Sequence, residues 1–199
     1  MKGSPDEQEY AFKRTGLARL ECLSEQGKID LFYGDESGVS LLPCVPYGWQ
    51  FADEEAGMPS TSGAGVNCFA LLSRENDCWF RTTRHRLTAS KVIEWLDSFA
   101  QTLRRLTVVV LDNAPIHQAK SVKRCLHRWR EQGLYLFYLP AYSPHLNIAE
   151  VLWRKLKYEW LRAEDYASRD RLCYSVWQAL AAVGEQLKID FSPFTLNEI

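Results

Sequence analysis

Three acidic residues sit where a carboxylate could do chemistry. Asp35 lies in Gly34-Asp35-Glu36-Ser37-Gly38, after a predicted first strand; Asp112 closes the run Leu106-Thr107-Val108-Val109-Val110-Leu111; Glu150 falls in the first turn of a helix that opens after Pro144. If the first strand and the 106–111 strand are neighbours, both aspartates emerge at one region of the sheet and Glu150 descends on them from its helix. Carboxylates gathered in this way repel one another unless a cation sits among them, and hard oxygen ligands with open positions suit Mg²⁺ or Mn²⁺ when phosphate completes the shell. The chemistry implied is phosphoryl transfer, with two ions roughly 3.5–4 Å apart, one activating the attacking oxygen and the other stabilising the leaving one. Each acid also has a plain structural reading. Asp35 suits a turn, Asp112 a helix cap, and Asn147-Ile148-Ala149-Glu150 fits a capping box. The set is what points to a site, because independent accidents would not bring all three to the same end of a sheet.

Further polar residues surround these acids. Arg154 and Lys157 follow Glu150 by one and two turns on nearly the same helical stripe, which reads either as an ordinary Glu–Arg pair or as a basic track for backbone phosphates. Asn113 and His117 follow Asp112 on the exposed side of its turn, where His117 orients water, touches phosphate, or is simply solvated at a helix start. Trp49 and Trp153 read as core, with stacking on bases as the alternative. Ser37 is not flanked by glycines as a nucleophile elbow requires, which disfavours a serine hydrolase.

The elements that must position these residues follow from pattern. Ser4-Pro5-Asp6-Glu7 has the form of a helix start with Ser4 as cap, and the helix runs to Gly27 with Leu17, Leu20 and Leu23 as its apolar edge. Lys28 to Tyr33 reads as a strand, Gly34 to Gly38 as a tight connection, and Val39 to Leu42 as a second strand closed by Pro43, which together make a hairpin. Phe51 to Gly65 is rich in small, acidic and breaker residues and reads as a loop. Val66 to Leu72 and Cys78 to Thr82 form another strand pair. The grammar then changes to alternation. Val92, Leu96, Phe99 and Leu103 recur at helical spacing, the 106–111 run is a strand buried on both faces, and Pro115 suits the first turn of a helix that Gly133 stops. Leu134 to Leu139 reads as a further buried strand. Asn147 opens a helix with Ala149, Leu152, Leu156 and Trp160 facing inward, and a last helix carries Leu172, Val176, Leu180 and Leu187. Antiparallel strands followed by α-β-α-β-α indicate an α/β domain with a mixed sheet.

Composition agrees with one sizeable core. The chain has 199 residues, 46% of them hydrophobic, with seven Trp, nine Tyr and nine Phe. A formal charge of −1 excludes a protein that grips nucleic acid by bulk charge, so any DNA contact must come from a local basic stripe or from another part. The six cysteines, including Cys22, Cys44 and Cys68, form no C-x-x-C pair, and no apolar signal region opens the chain, which points to a reducing cytosol. The four His lie far apart and none pairs with a cysteine at finger spacing, which argues against structural zinc. No apolar run reaches membrane-spanning length.

Four stretches together carry a family resemblance: residues 29–38, Tyr47-Gly48-Trp49-Gln50, Val110-Leu111-Asp112-Asn113-Ala114-Pro115-Ile116-His117, and Leu139-Pro140-Ala141-Tyr142-Ser143-Pro144-His145-Leu146-Asn147-Ile148-Ala149-Glu150 with Trp153 and Lys157. Over about residues 5–190 the chain resembles the catalytic domain of mariner-related bacterial insertion-sequence transposases of the DDE superfamily. The resemblance implies an RNase H-like fold with a mixed five-stranded sheet flanked by helices, three strands antiparallel and the rest reached by alternating helices. Residues 1–27 would be a connecting helix and 28–199 the catalytic domain. It further implies an Asp35, Asp112, Glu150 triad that holds Mg²⁺ or Mn²⁺, cleavage of double-stranded DNA at element ends, and attack of a 3′-hydroxyl on target DNA. A homodimer on DNA in the bacterial cytoplasm, associated with the nucleoid, goes with that activity. Similar transposases usually carry helix-turn-helix modules ahead of this domain, whereas this chain begins at about the connecting helix. The expectation is a truncated copy, the downstream half of a frame-shifted gene, or an excised core that works with an upstream helix-turn-helix partner. Asp53-Glu54-Glu55 stand where similar proteins often have basic residues, and His145 and Ile148 where they often have an acid and a proline. A stand-alone RNase H-like nuclease, or a silent remnant that binds DNA or a partner transposase, is the alternative.

Overall fold

The computed structural model describes residues 6–42 and 65–194. The proposed Ser4 cap, Pro43, Cys44, the 47–50 motif with Trp49, and nearly all of the 51–65 loop with Asp53-Glu54-Glu55 lie outside the described residues. Five strands form one sheet in the order β3-β2-β1-β4-β5. Strands β1 (Asp30–Ser40), β2 (Gly65–Leu72) and β3 (Cys78–Thr83) run antiparallel, while β4 (Thr107–Leu111) and β5 (Leu134–Tyr138) lie parallel to β1. This is the mixed sheet expected from the alternation of elements.

Helices cover both faces. On one face lie α1 (Glu7–Glu25), α4 (Ala149–Lys155) and α5 (Arg169–Ala181), packed on side chains such as Leu31, Tyr33, Cys68 and Val110. On the other lie α2 (Ala89–Ala100) and α3 (Lys120–Glu131), packed on Phe69, Leu71, Val109 and Leu111. Alternation along each strand divides these two sets. Helix α1 is capped by Asp6, whose Oδ1 accepts from Glu9 N–H at 2.8 Å, and it ends before Gly27 at φ +67°. Leu17 is buried as expected, and so is Glu21, which accepts from the Tyr33 hydroxyl and from Arg74 Nε at 2.8 Å. Helix α2 is capped by Thr88 and buries Val92, Leu96 and Phe99; α5 is capped by Ser168 and buries Leu172, Val176 and Leu180.

Several expectations need correction; Leu103 and Leu187 lie beyond the ends of α2 and α5, on whose apolar faces the spacing predicts them. The predicted hairpin over 28–42 is one continuous strand of 11 residues, with Gly34 to Gly38 inside it. Gly34 marks close packing rather than a turn: a Cβ there would stand 2.6 Å from Leu111 Cδ2 and 2.9 Å from Leu71 Cδ2. Pro115 belongs to a turn over 115–118, and α3 starts only at Lys120. Strand β4 is buried along its whole length as expected, but β5 is the sheet's edge, with Leu134 buried and Tyr135 exposed. Helix α4 is short and passes into a π-helical turn over Leu156–Trp160.

Candidate active site

The register of β1 on β4 decides where the two aspartates point. Tyr33 pairs with Val110, the last pair of the parallel ladder, and both face the α1/α4 side. Two residues further on along each chain segment come Asp35 and Asp112, near enough for the Asp112 charge to act on Asp35. Beyond Tyr33, β1 has no pairing to β4, and the Gly34 carbonyl is met by Asn147 Nδ2 at 3.0 Å. Asn147 Oδ1 also accepts from Ala149 N–H at 3.1 Å, so one buried side chain fastens the start of α4 to β1. Glu150 is thereby set over the two aspartates. All three acids line one cavity of about 360 Å³, together with Asn113, Tyr142 and Asn147.

Each aspartate is held by neighbours. Asp35 Oδ1 accepts from Glu36 N–H at 2.8 Å and its Oδ2 from Trp153 Nε1 at 3.0 Å. Burial first, then the charges of Glu36, Asp112 and Glu150, push the Asp35 carboxyl up to about 7, against the Glu36 N–H bond that lowers it. Asp112 Oδ1 accepts from Ala114 N–H at 3.0 Å and from His117 Nδ1 at 2.7 Å. Partial burial works to raise Asp112, but the bonds from His117 and Ala114 and the His117 charge outweigh it and hold the carboxyl below its ordinary value. His117 is completely buried, and its Nε2 approaches Glu36 Oε2 at 3.0 Å, out of line for a hydrogen bond and so mainly electrostatic. Burial disfavours its charge, yet Asp112 and Glu36 together raise it to about 9, which leaves the imidazole protonated at neutral pH.

The other expected residues divide. Asn113 is exposed at the cavity wall, where its Oδ1 accepts from Gln118 Nε2 at 2.6 Å. His117 is neither solvated nor open to a phosphate: buried, with Nδ1 bonded to Asp112 and Nε2 3.0 Å from Glu36, it is a clamp beneath the site. Arg154 leaves the cavity and lines a second one with Tyr10, Arg14 and His145. Lys157 is half-buried, and its charge opposes the burial that pushes the Cys68 thiol up to about 12. Glu150 makes no capping bond, so the capping-box reading fails, and the Glu150–Arg154 ion pair does not form among the described residues; on this helix Lys155 pairs with Glu159 instead, at 2.7 Å. Sequence reasoning missed Glu36, because a predicted turn hid the strand alternation that aims it at His117. It also missed the bond of Trp153 to Asp35, although Trp153 stands one turn beyond Glu150 and so shares its face.

A divalent cation fits this donor set by chemistry. Burial, with the charges of Glu36, Asp112 and Glu150, raises the Asp35 carboxyl, and a cation among these acids would offset their mutual repulsion. No three His, Cys, Asp or Glu side chains among the described residues already stand as a ligand set. The protein holds both oxygens of Asp35 and one of Asp112 by hydrogen bonds, leaving Glu150 exposed at the rim.

A five-stranded mixed sheet with acids at the end of its parallel half defines an RNase H-like catalytic core. Over residues 30–173 the chain matches the DDE superfamily endonucleases, and it belongs to that family. It is 25% identical over 190 residues to the insertion element IS630 uncharacterized 39 kDa protein of Shigella sonnei, an alignment that covers 87% of this chain and 48% of that protein. The chain thus spans about half the length of the curated relative it matches. The fold is similar to that of Mos1 transposase in its paired-end complex with left transposon end (TM-score 0.57, 14% identity, 92% of this chain and 61% of that one). It is similar too to the mariner Mos1 paired end complex with Mg (TM-score 0.52, 14% identity, 93% and 62%).

Proposed function

We propose that this chain is the catalytic core of an insertion-sequence transposase, cutting DNA strands at element ends and joining the freed 3′-hydroxyl to target DNA. The observation that carries the reading is that Asp35, Asp112 and Glu150, from three separate elements, line one cavity at the end of the parallel strands. In this reading the three carboxylates hold Mg²⁺ or Mn²⁺, and two ions are accommodated when DNA phosphate completes the shell. A metal held there would supply charge stabilisation at the scissile phosphate and a lowered pKa for the attacking hydroxyl. The protein's own work is positional. His117 keeps Asp112 ionised and fixed, Trp153 and the Glu36 amide fix Asp35, and Asn147 sets the height of Glu150 above them. Asn113, Arg154 and Lys157 are assigned to DNA phosphates flanking the cut, Arg154 and Lys157 with their side chains swung toward the duplex.

Residues 1–27 act as a connecting helix docked on the catalytic domain of 28–199, and end recognition belongs to a helix-turn-helix module upstream or on a partner chain. The working species is a homodimer on double-stranded DNA at the bacterial nucleoid. No helix among the described residues is long and apolar enough to cross a membrane. The test is nicking of supercoiled plasmid in Mn²⁺ at low salt. Metal-dependent nicking that disappears in Asp112→Asn supports the reading; nicking that persists in the variant, or silence even with an end-binding module fused to the chain, refutes it.

A further inference from the structure

Helix α3 is charged in a way its own stability does not require. Its 12 residues, KSVKRCLHRWRE, hold five basic residues and one acid in a chain of net charge −1. The first turn has no acidic residue and no side-chain cap, and it carries Lys120 and Lys123 where the helix dipole favours the opposite sign. A local rule broken without a compensating contact is a mark of function. Lys120, Lys123, Arg124 and Arg130 are all exposed, and none forms an ion pair among the described residues, whereas Arg128 is taken by Asp97 at 2.5 Å and His127 lies 3.5 Å from Glu131.

The inner face is fixed. Val122 and Trp129 are buried, and Trp129 Nε1 donates to Asp97 Oδ1 at 2.7 Å, which ties α3 to α2. The basic side chains therefore stand on a rigid platform at i, i+3/i+4 and i+10, a stripe about 15 Å long, or about four base pairs of B-DNA. As the crossover between parallel strands β4 and β5, α3 begins at the end of β4 that bears Asp112 and runs back along the face opposite α4.

We propose that the outer face of α3 is a backbone track for duplex DNA, with Lys120, Lys123, Arg124 and Arg130 on successive phosphates leading away from the catalytic edge. The inference rests on the transposase reading and adds to it a second DNA surface, across the sheet from Arg154 and Lys157. The acids on α3 and on the neighbouring α2 are Glu131, Glu94 and Asp97; Glu131 lies beside His127, Glu94 is held by Lys91, and Asp97 by Arg128 and Trp129.

The experiment is fluorescence-anisotropy binding of a labelled duplex of arbitrary sequence to the full chain across a KCl series. The proteins are wild type, Lys123→Gln/Arg124→Gln, and a charge-matched control, Lys28→Gln/Lys188→Gln, at two exposed lysines elsewhere. Loss of two phosphate contacts lowers the slope of log K against log[salt] by about 1.8, so the wild type loses about 12-fold more affinity than the α3 variant between about 50 and 200 mM salt. The control keeps the wild-type slope. An α3 variant with the wild-type slope, or a control that falls equally, overturns the track; if such a chain still nicks plasmid with metal, the transposase reading survives. A wild-type chain with no salt-dependent binding overturns the track as well, and failure of metal-dependent nicking would then remove the reading beneath it.

Discussion

Replacing Asn147 with Ala strikes the joint between α4 and β1. Asn147 is 3% exposed and makes two hydrogen bonds to buried backbone, donating to the Gly34 carbonyl at 3.0 Å and accepting from Ala149 N–H at 3.1 Å. Alanine leaves that carbonyl and that N–H without partners, at a cost of roughly 1–3 kcal/mol each, or about 2–6 kcal/mol in total. That is a large part of the 5–15 kcal/mol typical of a folded domain. With an m-value of about 2 kcal/mol/M, the urea midpoint falls by about 1–3 M. Tryptophan fluorescence follows the transition, since Trp153 one turn beyond the joint is buried against Asp35. Asn147→Asp separates the two bonds: it retains the acceptor for Ala149 but sets a carboxylate against the Gly34 carbonyl, and it is also expected to destabilise. A midpoint shift below about 0.5 M in the alanine variant, with m unchanged, refutes the claim that this side chain fastens the two elements.

Four further outcomes are expected. Gly34→Ala forces the ends of Leu111 and Leu71 to shift, which costs about 1–3 kcal/mol and lowers the melting temperature by several degrees in calorimetry. At Asp165, burial alone would raise the carboxyl, but bonds from Arg162 N–H at 2.8 Å and Ser175 Oγ at 2.7 Å, with Arg171 nearby, hold it low. Its stabilisation is therefore full above the unfolded value of about 3.9 and is lost as pH falls through the native one; the stability gap between wild type and Asp165→Asn should close on acidification in urea titrations. Burial pushes the Cys68 and Cys78 thiols up to about 12, so in the native chain maleimide labels the exposed Cys22 and spares both until urea is added, as peptide mass mapping would report. His117→Ala removes the cation beside Glu36 and Asp112 and is expected to lower metal-dependent nicking while far-ultraviolet circular dichroism is unchanged; full activity would show that the clamp is idle.

What could be read from the sequence depended on whether a local pattern matched its tertiary setting. Strand β4 was legible because Thr107 to Leu111 is buried throughout and five adjoining β-formers leave no other reading. The acids at 112 and 150 were legible through their motifs and their places at element ends. Asp35 was found but misplaced. Gly-Asp-Glu-Ser-Gly has turn composition, and only Leu111 and Leu71, distant in sequence, explain why its first glycine sits in a strand. His117 looked solvated because nothing local shows that two carboxylates close over it. Asn147 carried the signal of a helix opener, and it does accept from Ala149, but its bond to Gly34 spans 113 positions and no local pattern contains it. Strand β5 reads as buried from Leu134 to Leu139, yet edge or centre is a property of sheet order, which the segment alone does not encode.

The central claim is that three carboxylates from β1, the end of β4 and α4 act as one cation site. Its most direct measurement is Mn²⁺ binding, read from the loss of the free-ion electron paramagnetic resonance signal, for wild type beside Asp35→Asn, Asp112→Asn and Glu150→Gln. The account predicts that wild type takes up Mn²⁺ and that each single substitution weakens uptake severely. Uptake by all three variants equal to that of wild type would contradict it.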